Sequence, residues 1–204
     1  MKHDFPQSFS RAFDECLMLG VEVTEDFYGK AEMFLGFLAK STAVMNLVGP
    51  GEIARLWTRH ALESVAFVPY LDGKEVIDIG TGAGFPGMML ALCGFNVTMV
   101  ESRGKRCAFL ETAARECGIS CKVVNKRIED AGPFPEGAQF TSRAVKGPAE
   151  MVKMIIPAAS ESFSLITRVS ETSQTCPGAV ISGILPVPPL DRDGFILQYR
   201  HPGK

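Results

Sequence analysis

Long hydrophobic runs are missing from this 204-residue sequence. No segment approaches the roughly 20 consecutive apolar residues of a membrane-spanning helix, so neither a transmembrane segment nor a membrane partner is expected. The first residues hold Lys2, His3 and Asp4 rather than the apolar stretch of a secretory leader. Paired cysteines are also missing. Cys16, Cys93, Cys107, Cys117, Cys121 and Cys176 include no C-x-x-C, and Cys117 with Cys121 has no companion histidine pair. That spacing argues against a zinc site or any other metal centre. Most of these cysteines fall in apolar periodic segments and read as small core residues of a reduced, cytoplasmic protein. An excess of one sign of charge is missing as well: the formal net charge is −2, so the protein as a whole is not a polycation. Internal repeats and low-complexity tracts are absent.

A hydrophobic share of 46% is ample for a core, and the length suits one domain with an extension. Residues 1–68 read as an N-terminal helical extension. Phe9, Phe13, Cys16 and Leu17 recur at helical spacing and stop at Gly20. Thr24 is placed to cap a second helix with Phe27, Ala31, Phe34, Leu35 and Leu38 on its apolar face. A break is expected at Ser41-Thr42 and another at Gly49-Pro50-Gly51. A third helix is expected from about Glu52 to Phe67. Residues 69–204 alternate strands (about 75–79, 96–100, 120–125, 139–142 and 163–168) with helices (about 86–93, 104–117 and 148–156). That alternation predicts an α/β, Rossmann-like, mostly parallel sheet. Two further apolar runs, Ala179–Leu185 and Phe195–Tyr199, predict an antiparallel pair at one end of it.

The first strand carries one acid, Asp78, and stops at a glycine-dense turn, Gly80-Thr81-Gly82-Ala83-Gly84-Phe85-Pro86-Gly87. Gly80 and Gly82 permit positive φ and leave no Cβ in the way of a ligand, and Pro86 suits a helix start. Glu101 closes the next strand roughly twenty residues on, where an acid accepts hydrogen bonds from the ribose hydroxyls of an adenosine. NAD and S-adenosylmethionine sites both use this design, and the glycine register separates them. An NAD turn places its third glycine where this chain has Phe85, and the alternative register from Gly82 to Gly87 starts two residues late. An acid inside the strand also suits the positive ammonium and sulfonium of S-adenosylmethionine. Asp78 has a second reading, as a buried acid capping the following helix.

In open sheets of this kind the ligand lies outside the carboxyl ends of the strands, where the strand order reverses. The segments after strands three and four should therefore meet the glycine turn. Ile128 and Glu129 follow the third strand, where backbone groups could read an adenine edge with Ile128 on its face, or simply begin a helix. Arg143 follows the fourth, where substrate meets cofactor, unless it is an ion-pair arginine.

Asn46-Leu47, Arg59-His60-Ala61-Leu62-Glu63-Ser64, Asp78–Gly87, Gly104-Lys105-Arg106, Arg127-Ile128-Glu129 and Ser142-Arg143-Ala144 occur in that order. This set resembles the glucose-inhibited division protein B family, bacterial small-subunit ribosomal RNA guanine-N7 methyltransferases, over about residues 40–157. The resemblance implies a class I methyltransferase sheet, S-adenosylmethionine as cofactor and one guanine of 16S ribosomal RNA, free or in the small subunit, as target. It implies that Gly80 and Phe85 line the cofactor, and Asp78, Gly82 and Gly84 are expected to complete the cofactor turn. It implies too that Glu101 stands where the ribose is held, that Ile128 and Glu129 contact the adenosine end, and that Arg143 lies in the active site. Arg143 is the expected catalytic and cofactor-binding residue, positioning the base or stabilising charge near the cofactor. Glu63 and Glu101 stand where many members have Asp. The usual Lys-Gly at the end of the fifth strand is Thr167-Arg168-Val169 here, with Arg168 the candidate for the missing charge.

Guanine N7 is unprotonated at neutral pH, so transfer to it requires alignment more than a strong base, and no Ser-His-Asp set is needed. Arg59, His60, Lys105, Arg106 and Lys146 are the expected RNA contacts, a local patch within a neutral chain. A monomer is expected. The competing readings are a methyltransferase of the same fold with another substrate, a non-catalytic RNA-binding assembly factor and, more distantly, an NAD dehydrogenase.

Overall fold

The computed structural model describes residues 3–143 and 145–203. Ala144, the last residue of the Ser142-Arg143-Ala144 motif, lies outside the described residues, as does Lys2. One seven-stranded sheet organises the chain, with β1 (Glu75–Ile79), β2 (Asn96–Val100), β3 (Lys122–Val124), β4 (Ala138–Ser142), β5 (Phe163–Val169), β6 (Ala179–Leu185) and β7 (Gly194–His201). Their order is β3-β2-β1-β4-β5-β7-β6. The first five are parallel, and β7 runs antiparallel to both β5 and β6. The expected hairpin is present, and β7 rather than β6 joins the parallel sheet.

β1 and β2 are largely buried and rich in branched residues, as strands covered on both faces are. The helices that cover them fall into α1 (Phe9–Leu17), α2 (Glu25–Met45), α3 (Leu62–Val65), α4 (Gly87–Leu92), α5 (Gly104–Glu116) and α6 (Pro148–Ile155). On one face Phe34, Leu38, Trp57, Met88, Met99 and Leu110 belong to one buried cluster. Fully burying a side chain of this kind is worth about 2–3 kcal/mol, so the cluster ties α2 and the Trp57 segment to α4 and α5 across residue 68. On the other face Met151 and Ile155 of α6 cluster with Ile79, Phe140 and Leu165 of the sheet.

Two helices differ from expectation. α2 is capped by Thr24, whose hydroxyl accepts from the Phe27 amide at 3.2 Å, but it runs through Ser41-Thr42 to Met45. The Thr42 hydroxyl donates to the Leu38 carbonyl at 2.9 Å and so stays inside the helix instead of breaking it. The helix ends at Asn46, in the left-handed region at φ 48°. The expected helix over 52–67 is three pieces: a 3-10 stretch at Pro50–Arg55, a π segment at Leu56–Ala61, and α3. Asp4 explains the break, because its carboxylate accepts from the amides of Trp57 (2.8 Å) and Thr58 (3.0 Å). Those two donors are withdrawn from the α-helical ladder, so the helix must restart there, as at an N-cap.

Candidate active site

The strand order reverses between β1 and β4, and the turn after each of them opens at the same edge of the sheet. After β1, the Gly80 amide still pairs with the Val100 carbonyl at 2.8 Å, so the turn begins one residue beyond the strand. Gly80, Gly82 and Gly84 adopt φ of +64°, +60° and +100°, which only glycine takes up freely. The amides of Gly84 and Phe85 then return to the Thr81 carbonyl at 2.8 and 3.0 Å.

A cleft of about 510 Å³ lies over this turn, and Gly80, Gly82, Phe85, Glu101, Arg106 and Arg143 line it. Glu101, only 5% exposed, accepts from the Gly82 amide at 3.2 Å and the Arg103 amide at 2.9 Å. Its carboxylate therefore bridges the glycine turn to the start of α5, and Arg106 approaches it at 3.9 Å. A Cβ on Gly80 would lie 2.6 Å from Val145, and one on Gly82 would lie 3.3 Å from the Arg106 guanidinium. The bare backbone is thus part of the cleft's shape.

Arg143 comes from the segment after β4, and its guanidinium is almost wholly enclosed. It donates to the Arg59 and His60 carbonyls, both at 3.3 Å, and to His60 Nδ1 at 2.6 Å. A guanidinium only donates, so Nδ1 is the bare nitrogen and the ring proton sits on Nε2. Nε2 lies 3.0 Å from Glu52. Burial first, then the neighbouring Arg143, push the His60 pKa down to about 3. His60 is therefore neutral at physiological pH and adds no charge to a patch. Its ring stacks on Phe85 with centroids 5.2 Å apart, and the Arg143 guanidinium lies 5.2 Å from the Phe85 centroid. Phe85 packs inward, 4% exposed, and its ring also meets Phe34 edge-on.

Several expected site residues point elsewhere. Asp78 is fully buried and absent from the cleft wall. It accepts from the Gly87 amide at 2.9 Å and the Thr141 hydroxyl at 3.2 Å. Its geometry is that of the helix-capping acid, at the opening of α4, and burial lifts its pKa to about 6. Gly84 is a packing glycine, because a Cβ there would meet Met88 at 2.7 Å and Phe34 at 3.1 Å. Ile128, 2% exposed, packs with the second core cluster, and neither it nor Glu129 lines the cleft. Lys105 is exposed at the start of α5, and Lys146 is exposed and paired with Glu150 at 2.8 Å.

The sequence reading did not anticipate the other wall. Leu47, Val48, Gly49 and Glu52 line the cleft from the segment between α2 and α3. Glu52 contacts Arg55 at 2.9 Å and Arg59 at 3.1 Å. The spacing of Glu52, Arg55, Arg59, His60 and Glu63 along one helical face was the available signal. Among the described residues no group of three or more His, Cys, Asp or Glu could hold a metal, and no helix is long and apolar enough to cross a membrane.

A sheet in this order, with a glycine turn after β1 and an acid after β2 meeting at the reversal point, defines the class I methyltransferase fold. A SAM-dependent O-methyltransferase from Thermotoga maritima superposes with a TM-score of 0.50 at 17% identity, over 82% of this chain and 72% of that one. The family model described as rRNA small subunit methyltransferase G matches residues 28–169. The ribosomal RNA small subunit methyltransferase G of Gluconobacter oxydans is 40% identical over 60% of this chain and 64% of its own length. That of Paramagnetospirillum magneticum is 39% identical over 60% and 61%. The chain belongs to the rRNA small subunit methyltransferase G family, and its match spans less than two thirds of the length of these relatives.

Proposed function

We propose that the protein methylates guanine N7 in 16S ribosomal RNA, using S-adenosylmethionine held in the cleft over the glycine turn. The observation that carries this reading is the convergence of bare backbone at Gly80 and Gly82, the Glu101 carboxylate and the Arg143 guanidinium on one cleft, in a chain of this family. The residues fit the cofactor. The Gly80–Gly82 backbone gives room for close approach, and a Cβ at either would narrow it. Glu101 retains acceptor capacity beyond its two amide bonds and is placed to receive ribose hydroxyls. When bound, S-adenosylmethionine supplies an electrophilic methyl group.

Asp78 serves the cofactor from behind, fixing the α4 entry to the glycine turn through Gly87. Gly84 and Phe85 shape the turn from its packed side, and Ile128 with Glu129 supports the adenosine end from behind the cleft wall. Arg143 is the catalytic residue, orienting the base through a guanidinium whose direction is locked by His60 and two carbonyls. It cannot act as a proton acceptor, and guanine N7 needs none. The work done on the reaction is alignment, which can supply several kcal/mol. Arg59, Lys105, Arg106 and Lys146 contribute positive charge toward RNA, with His60 as their neutral spacer. Guanine N7 is inaccessible within an RNA helix, so the target is an unpaired or splayed base. Residues 1–68 act as an extension that walls the cleft of the Rossmann-like domain, 69–204.

The test is transfer of tritium from labelled S-adenosylmethionine to naked 16S RNA, small subunits or protein extract. Label on RNA is expected. Label on protein or a small molecule would assign another substrate, and cofactor binding without transfer would make the protein a binding factor.

A further inference from the structure

Glu63 sits at the centre of an unusual concentration of positive charge. It is 3% exposed, and its carboxylate lies 2.8 Å from Arg168, 3.3 Å from Arg192 and 3.6 Å from both Arg59 and Arg143. These arginines come from the end of β5, the β6–β7 connection, the π segment and the β4 turn. Nearby, Glu52 and Asp191 pair with Arg55, each at 2.9 Å. Within ion-pair reach, five guanidiniums therefore share three carboxylates among the described residues, and His60 in their midst is neutral. Arginine cannot shed its proton, so the excess persists in the folded protein. Gathering like charges is costly unless an anion completes the set.

Arg59, one of these five, lines a second cavity of about 720 Å³ beside the cofactor cleft, and with Val145 it lines that cleft as well. Arg168 and Arg192 line it too, and α6 begins on its wall at Gly147-Pro148. Lys146 is already matched by Glu150 on the same wall, so the uncompensated charge belongs to the arginines. Nη1 of Arg59 and Nε of Arg192 have no hydrogen-bond partner. Arginine forks and a helix N-terminus together match the oxygens of a phosphate.

We propose that this cavity is a substrate subsite that binds a backbone phosphate of the RNA, adjacent to the base presented at the cofactor cleft. Arg192 and Arg168 hold the phosphate, and Glu63 is the positioning residue that fixes both side chains. The proposal rests on the RNA-methylating function above. It also gives Arg168 a role at the strand end where the sequence departs from its family's usual Lys-Gly.

The experiment measures RNA affinity across a salt series with the full chain and a 16S RNA transcript, alongside calorimetry with S-adenosylmethionine. Arg192→Gln should weaken RNA binding about tenfold and reduce the log–log salt slope by about 0.7, the loss of one single-strand phosphate contact. Its cofactor affinity should be unchanged. Arg115→Gln, on an exposed helix end outside the cavity, should leave both at wild-type values. If Arg192→Gln fails to melt as the wild type does, Thr175→Glu carries the test. It places a carboxylate on the cavity wall without touching the Glu63 cluster, and RNA affinity should again fall. Wild-type RNA affinity and salt slope in the folded variant would overturn the subsite while leaving the RNA-methylating function in place. A wild-type protein that transfers no methyl group to RNA would overturn that function, and the subsite with it.

Discussion

Gly80 is under two constraints at once, a positive φ of +64° and a Cβ position 2.6 Å from Val145. Gly80→Val should weaken S-adenosylmethionine binding about 100-fold or more, nearly 3 kcal/mol, because a branched side chain both strains the turn and fills the cleft. Undiminished binding in calorimetry would move the cofactor site elsewhere. At the same scale, two buried groups pull the pH dependence of stability in opposite directions. His60, held near pKa 3 by burial and Arg143, binds fewer protons folded than unfolded between about pH 3 and 6.5. Its contribution is present above pH 6.5 and is lost on acidification through that window. Asp78, lifted from 3.8 to about 6 by burial, binds more protons folded than unfolded. Its contribution is present below pH 3.8 and is lost as pH rises toward 6. Urea unfolding between pH 4 and 6 should show His60→Gln losing stability as pH rises, and Asp78→Asn gaining it more steeply than the wild type. Parallel curves for all three would refute the assignment. That Gly80, Gly82, Glu101 and Arg143 meet at one cleft was legible because each sits at or just beyond a strand end. For Asp78 the sequence left two readings open, since a strand acid looks the same whether it faces a cleft or a helix start, and its bond to the Gly87 amide selects the second.

Among the elements, the Asp4–Trp57 contact has the widest reach. The local pattern of residues 52–67 is helical, and nothing within it signals a π segment. The cause lies about fifty residues upstream, in one carboxylate that takes two amides. Asp4→Ala should cost about 0.5–2 kcal/mol, the range for a lost N-cap, measured by urea denaturation. Faster hydrogen exchange at Trp57 and Thr58 should accompany it, and protected amides in the variant would contradict this account. The same stretch carries Arg59, His60 and, in α3, Glu63, so its irregular winding positions one wall of the cleft. Thr42 is the converse case: a residue read as a breaker is kept in α2 by its own bond to Leu38. The strands were read within a few residues because their apolar runs are short, branched and bounded by turns. Only β3, at the sheet edge, is shorter than its pattern.

For the whole molecule, the parallel sheet and its antiparallel end followed from the alternation of patterns, whereas the joining of the N-terminal helices to the core did not. Phe34 and Trp57 contribute to the same buried cluster as Met88 and Leu110, and contacts between such distant segments leave no periodic trace. A formal charge of −2 likewise concealed arginines gathered from four elements around Glu63. The result is the cleft over the glycine turn and an arginine-lined cavity side by side on one sheet edge. The central claim is that this edge delivers a methyl group to guanine N7, and nucleoside analysis of 16S RNA after reaction with S-adenosylmethionine tests it most directly. One new N7-methylguanosine per RNA, absent when Arg143 is replaced by alanine, is the expected result. Methylation at any other atom, or unmodified RNA from a protein that binds the cofactor, would contradict it.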